Sequence, residues 1–239
     1  MGIFPAIVHL LKAEHLHRPI EGDLLLIGRQ VVHGTTLTDV ELFAAICPDA
    51  RVRALDVSDY EGADIVHDLC MPLPTRLNGI ADFIYDGSCL DNIHDAGQAM
   101  RSMSAMLKPS GRMFAFEHGT MIQGALCAYS PEWFFDFFAA NQYADCQIKL
   151  GVFKYPGMPL NWILNDWHPF DELGAPATAS PRFDAGIEFV NLVLAEKDTA
   201  STNNARPIQA QYRALHGTEG DRYLDAHHRY QRSLRRIQS

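Results

Sequence analysis

Residues 80–119 constrain the fold more than any other stretch, because a strand, a helix and a second strand follow one another there with little local ambiguity. Residues 81–88 (Ala-Asp-Phe-Ile-Tyr-Asp-Gly-Ser) form a β-rich run ending in turn residues, as a strand in a covered parallel sheet does. Ala96, Ala99, Met100, Met103 and Leu107 then recur at helical spacing, and Pro109 and Gly111 close that helix. Residues 112–116 give the next strand. Two strands joined by such a helix make a right-handed βαβ unit, whose ligands gather at the carboxyl ends of the strands. Residues 86–88 and 117–119 occupy those ends.

The chain on either side extends this pattern. Residues 23–27 read as the first core strand, followed at once by Gly28, which lets the backbone turn close to a ligand. Thr38 with Glu41 three residues on reads as a capping box for the next helix, and Pro48 follows its end. Residues 51–57 make the second strand with Asp56 at its end, and residues 63–69 lead to Pro72 and Pro74. After Gly119 come an aromatic helix capped by Ser130 (Pro131, Trp133, Phe134, Phe135, Phe137, Phe138) and strands at 147–155 and 186–195. That helix reads as core and lid packing, since no basic stripe accompanies it as a base-stacking surface requires. Residues 156–184, with Trp162, Asp166, Trp167, His168 and Asp171, form a proline-rich insertion long enough to be functional, expected to cover substrate.

A chain of 239 residues with 47% hydrophobic content can bury one sizeable core. The expected organisation is an N-terminal helical extension (1–20), a main domain (21–198, with the insertion at 156–184) and a helical basic tail (199–239). The extension contains an amphipathic helix at 5–16 begun by Pro5, with Ile7, Leu10 and Leu11 on one face. His9, His15 and His17 near it read as solvated, because no carboxylate and cysteine set completes a metal site; no metal is expected. The net charge of −9 argues against general nucleic-acid binding. The tail is opposite in sign to this acidic body and reads as a helix folded back on the domain, or as an anion-binding arm. No apolar run nears the roughly 18 residues of a membrane span. Cysteines 47, 70, 89, 127 and 146 form no Cys-x-x-Cys pair and read as reduced thiols of a cytoplasmic protein.

The motif Asp82-Phe83-Ile84-Tyr85, then Leu90 and a helix ending Met106-Leu107-Lys108-Pro109-Ser110-Gly111-Arg112, resembles the late half of a class I S-adenosylmethionine (SAM)-dependent methyltransferase domain. Ser110 replaces the usual first glycine of that turn. The resemblance implies an α/β fold, doubly wound, with a mostly parallel seven-stranded Rossmann-like sheet, helices on both faces and an antiparallel last strand. It also implies SAM as cofactor. Where the family has acidic-x-Gly-x-Gly-x-Gly, this chain has Leu26, Gly28, Gln30 and Val32, so the glycine loop is degenerate and keeps only its first glycine.

By this resemblance Gly28, Arg29 and Gln30 line the loop at the cofactor, and Asp56 with Val57 takes the ribose, a carboxylate there accepting from both hydroxyls. Asp59 is an alternative to Asp56. Asp68 and Leu69 hold the adenine, and Asp86, Gly87 and Ser88 run beneath the methionine half. Asp91 and His118 are the catalytic candidates, His118 because an imidazole can take a proton near neutrality. Asp91 and Asn92 also read as caps for a helix beginning near His94. The expected activity is methyl transfer to an oxygen or nitrogen of a small molecule, with no nucleic-acid or membrane partner and a homodimer as the allowed self-association. The alternative is a non-catalytic relative that keeps the fold as a binding or assembly subunit. A nicotinamide-dependent oxidoreductase is disfavoured, since no Gly-x-Gly-x-x-Gly follows the first strand.

Overall fold

The computed structural model describes residues 2–120, 124–154, 162–170 and 186–237. In chain order the strands are β1 (Gly2–Ile3), β2 (Gly22–Ile27), β3 (Val31–Val32), β4 (Ala50–Asp56), β5 (Ile65–Val66), β6 (Ala81–Gly87), β7 (Leu107–His118), β8 (Asp145–Lys154), β9 (Ile163–Asp166) and β10 (Ile187–Glu196). The helices are α1 (Pro5–His17), α2 (Asp39–Ile46), α3 (Ala96–Met106), α4 (Pro131–Ala140) and α5 (Thr218–Ile237).

Among the described residues eight strands form one sheet in the order β5-β4-β2-β6-β7-β10-β8-β9. The ladders from β5 through β7 are parallel, and β10 runs antiparallel to both β7 and β8. This is the doubly wound α/β arrangement expected, with the antiparallel strand in place. The sheet has one strand more than expected. β9 arises inside the 156–184 insertion and pairs antiparallel with β8 from Lys149↔Asp166 to Val152↔Ile163, so part of what reads as loop is an edge strand. Residues 155–161 and 171–185, with Asp171, lie outside the described residues.

The two faces of the sheet carry two cores. One packs α3, α4 and α5 on Ile84, Met113, Ala115 and Val193, around Met100, Met103, Phe134, Phe138 and Tyr143. The other packs α1 and α2 on Leu24, Leu26, Phe114 and Phe116, through Ile7, Leu11 and Phe43. The insertion grips both. Trp162 stacks on Phe116 (5.8 Å, 19°) and Phe153 (5.7 Å, 19°) in the second core, while Trp167 meets Phe135 edge-on at 6.2 Å in the first. Its described aromatic residues thus pack into the two cores.

Local sequence explains several boundaries. The Thr38–Glu41 capping box forms at the start of α2, whereas Ser130 stands before Pro131 without a side-chain capping bond. Asp95, not Asp91 or Asn92, caps α3 by accepting from Gln98 N–H at 3.0 Å. Ser110, where the family pattern has glycine, adopts φ 63°, a left-handed backbone that non-glycine residues seldom take. The tail folds back on the body: Tyr223, Ala226 and Tyr230 of α5 are buried in the first core. Among the described residues no helix is long and apolar enough to cross a membrane.

Candidate functional site

The parallel strands β4, β2 and β6 lie side by side, so Asp56, Gly28 and Asp86–Gly87 reach one edge of the sheet from three neighbouring positions. Asp56 is half-buried, and Ser58 N–H donates to its Oδ1 at 3.4 Å. Val57 beyond it is 66% exposed. At the end of β5, Asp68 is exposed and accepts from Cys70 N–H at 2.9 Å, forming a tight turn. Leu69 beside it is buried in the first core, so its side chain supports the turn from below.

Gly28 turns the chain with φ 73° and donates its N–H to Leu55 O at 2.8 Å. The loop beyond is not a glycine cradle. Asp39, buried at the first turn of α2, accepts from Arg29 Nε at 3.1 Å and Gln30 N–H at 2.7 Å. β3 then pairs parallel with β1, tying the N-terminal segment onto this loop. Arg29 Nη1 donates to the carbonyls of Glu61 (2.7 Å) and Gly62 (3.2 Å), strapping the end of β2 to the loop after β4. The Gln30 amide donates to Gly87 O and fills the space that a side chain at Gly87 would need. Two of the expected cofactor residues therefore engage the protein's own backbone.

A buried acidic cluster lies beneath. Asp86, Asp91, Glu117 and His118 are all fully buried. Glu117, one residue before the end of β7, accepts from Leu90 N–H at 3.1 Å and Asp91 N–H at 3.0 Å, clamping the 3₁₀ turn Leu90–Asn92. Asp86 Oδ1 accepts from Cys89 N–H at 3.1 Å, and its Oδ2 has no hydrogen-bond partner among the described residues. Ser88 holds φ 63° and its hydroxyl donates to Asp91 Oδ2 at 2.6 Å. His118 Nε2 lies 3.9 Å from the same oxygen. The two catalytic candidates are thus brought together, with Ser88 on the same carboxylate.

Burial sets the protonation of this cluster. It raises Asp86 from 3.8 to about 7 and Asp91 to about 6. It raises Glu117 as well, and the neighbouring Asp86 charge adds to that shift. The same desolvation lowers His118 to about 4, so the imidazole is neutral at physiological pH. A base that weak is poorly matched to accepting a proton near neutrality, and Asp91 is the better match. Glu117 is the site residue whose role sequence reasoning missed. The available signal was a carboxylate directly after the apolar run from Met113 to Phe116. Among the described residues no group of three or more His, Cys, Asp or Glu side chains has metal-binding geometry.

By sequence the chain matches no protein-family model and no curated protein. Its fold is similar to that of 1,6-didemethyltoxoflavin-N1-methyltransferase from Burkholderia thailandensis, solved with 1,6-didemethyltoxoflavin and S-adenosylhomocysteine (13% identity, 80% of this chain, 78% of that one, TM-score 0.44). It is also similar to YcgJ from Bacillus subtilis (16% identity, 80% and 98% covered, TM-score 0.47). A third similar structure is phosphoethanolamine N-methyltransferase 2 from Haemonchus contortus, with S-adenosyl-L-methionine (13% identity, 80% and 53% covered, TM-score 0.46). At these levels the similarity is one of chain path and assigns no activity.

Proposed function

We propose that this protein is a SAM-dependent methyltransferase acting on an oxygen or nitrogen of a small molecule. The observation that carries the reading is the line of Asp56, Gly28 and Asp86 across the carboxyl ends of three adjacent parallel strands. Open α/β sheets bind their ligands at that edge. The residues fit the cofactor at both of its ends. Asp56 offers a half-exposed carboxylate to ribose hydroxyls, and the orphaned Oδ2 of Asp86 suits an ammonium donor. Gly87 O, now bound by Gln30, is the acceptor that withdrawal of the Gln30 side chain frees.

When bound, SAM supplies an already activated methyl group. The protein's part is then to align and desolvate the nucleophile. Glu117 fixes the turn that carries Asp91, Asp91 is poised to take a proton, and neutral His118 packs beside it. The five free cysteines suit a reducing, cytoplasmic setting.

A second reading, a non-catalytic binding or assembly subunit, is favoured by one observation: Arg29 and Gln30 strap and fill the cleft. Calorimetric titration with SAM separates the two. Wild type should bind, and Asp56→Ala should weaken binding by about 1.5–3 kcal/mol, the scale of a hydrogen bond to a charged group. Unchanged affinity in that variant moves the ribose contact to Asp59. No heat with wild type favours the subunit.

A further inference from the structure

Two features of the sequence, the aromatic helix and the basic tail, stand outside the methyl-transfer site, and the fold brings them together. A cleft of about 360 Å³ opens between α3, α4 and the linker at 204–207, lined by Gly97, Arg101, Trp133, Phe137 and Arg206 among others. None of the residues at the carboxyl edge of the sheet lines it. From these side chains we infer that the cleft binds a small aromatic anion, its ring on Trp133 and Phe137 and its carboxylate or phosphate on Arg101 and Arg206.

Three observations support this. The first is charge. In a chain of net charge −9, neither Arg101 nor Arg206 has a carboxylate within ion-pair distance among the described residues. Arg101 is held by Gln98 Oε1, at 2.9 Å from Nη2 and 3.3 Å from Nε, so a neutral amide orients it without neutralising it. Two acids of the same helices are engaged elsewhere: Asp95 caps α3, and Glu132 faces Arg213 at 3.9 Å. Guanidinium forks match carboxylates and phosphates in bidentate geometry.

The second is the aromatic wall. Trp133 is half-buried, fixed between Tyr129 (4.9 Å) and Phe134 (5.0 Å, edge-on), so its ring is pre-positioned. The third is room. Gly97 has no side chain; a Cβ there would stand in ordinary contact, 3.5 Å from Arg101 Nη1 and 3.7 Å from Asp95 Oδ1, so a branched side chain would take up space that the cleft now leaves open. The volume lies within the range of small-molecule pockets, which begins at roughly 300 Å³.

The test is calorimetry on the full chain at low salt with phenyl phosphate, benzoate, phenol, cyclohexanecarboxylate and inorganic phosphate. At least one aromatic anion should bind, with phenol, cyclohexanecarboxylate and inorganic phosphate at least tenfold weaker. Preference between phenyl phosphate and benzoate tells which anionic group the cleft takes. Arg101→Ala and Arg206→Ala should each weaken binding at least tenfold with an unchanged melting temperature, since both side chains are exposed. Gly97→Val, which leaves both arginines in place, should weaken it too. If neither aromatic anion binds, or if binding survives in the Arg101→Ala/Arg206→Ala double variant, the inference is overturned.

Discussion

The two ends of the parallel strands use the same residue types in opposite ways. At the amino end, Asp23 pairs with Arg51 and with Lys108 (2.9 Å), and Lys108 also reaches Asp82 (2.7 Å). These groups are partly solvated, and the hydrogen bond from Lys108 is the main reason Asp23 sits below the usual carboxylate range. At the carboxyl end, Asp86, Asp91 and Glu117 are buried without a Lys or Arg partner among the described residues, and backbone N–H groups, the Ser88 hydroxyl and the Asn92 amide donate to their oxygens, all but Asp86 Oδ2. Solvated pairs contribute little either way. Buried acids are costly, and desolvation pushes their pKa values up because it disfavours the charged form. Stability alone does not call for such a cluster at the edge where ligands bind in this fold class.

The contrast can be broken most directly at Glu117. Glu117→Ala strips two buried N–H groups of their acceptors, each worth about 1–3 kcal/mol, so unfolding free energy should fall by about 3 kcal/mol or more. Denaturant titration checks this, and a loss under about 1 kcal/mol would show that the clamp is dispensable. Next in size is Asp91→Asn. If Asp91 takes the substrate proton, turnover should drop about a hundredfold with SAM affinity retained. His118→Gln, removing a base already pushed to about 4, should cost less; the reverse ranking in a methyl-transfer assay restores His118 as the base.

The pH dependence is a subtler handle. Between about pH 4 and 7 the folded Asp86 and Asp91 hold protons that the unfolded chain releases, so they stabilise at acid pH and that contribution is lost as pH rises through about 6 to 7. His118 runs the other way: its depressed pKa costs stability as pH falls from 6.5 towards 4. The two carboxyls together move further than the imidazole. Relative to wild type, Asp86→Asn should therefore gain stability from pH 5 to pH 8, and a constant difference between the two melting curves would argue that Asp86 stays ionised. The smallest effect belongs to the amino end. Lys108→Ala should cost about 0.2–1 kcal/mol, less in high salt. A larger, salt-independent loss would erase the distinction between the two ends.

Much of this architecture was written locally. The Thr38–Glu41 box and the apolar strand ending at Asp86 involve neighbours a few residues apart and formed where the pattern placed them, whereas the helix read from Ala96 to Leu107 ends at Met106, and Leu107, Pro109 and Gly111 belong to β7, which pairs beside β6. β9 was illegible because Ile163, Leu164, Asn165 and Asp166 are all exposed. An edge strand of four residues with no buried face leaves no alternation to read.

The candidate site divides along the same line. Acids and glycines at the strand ends were legible in local pattern, since strand length and turn residues are short-range properties. What those residues touch depended on how the strands and loops assembled. Glu117 reaches Leu90 across 27 positions, and Gln30 reaches Gly87 across 57. Arg101 and Arg206 come to line a single cleft only once the linker before α5 lies along α3. Periodicity carries no information about such contacts, because they depend on strand order and on which loops pack together at one edge of the sheet.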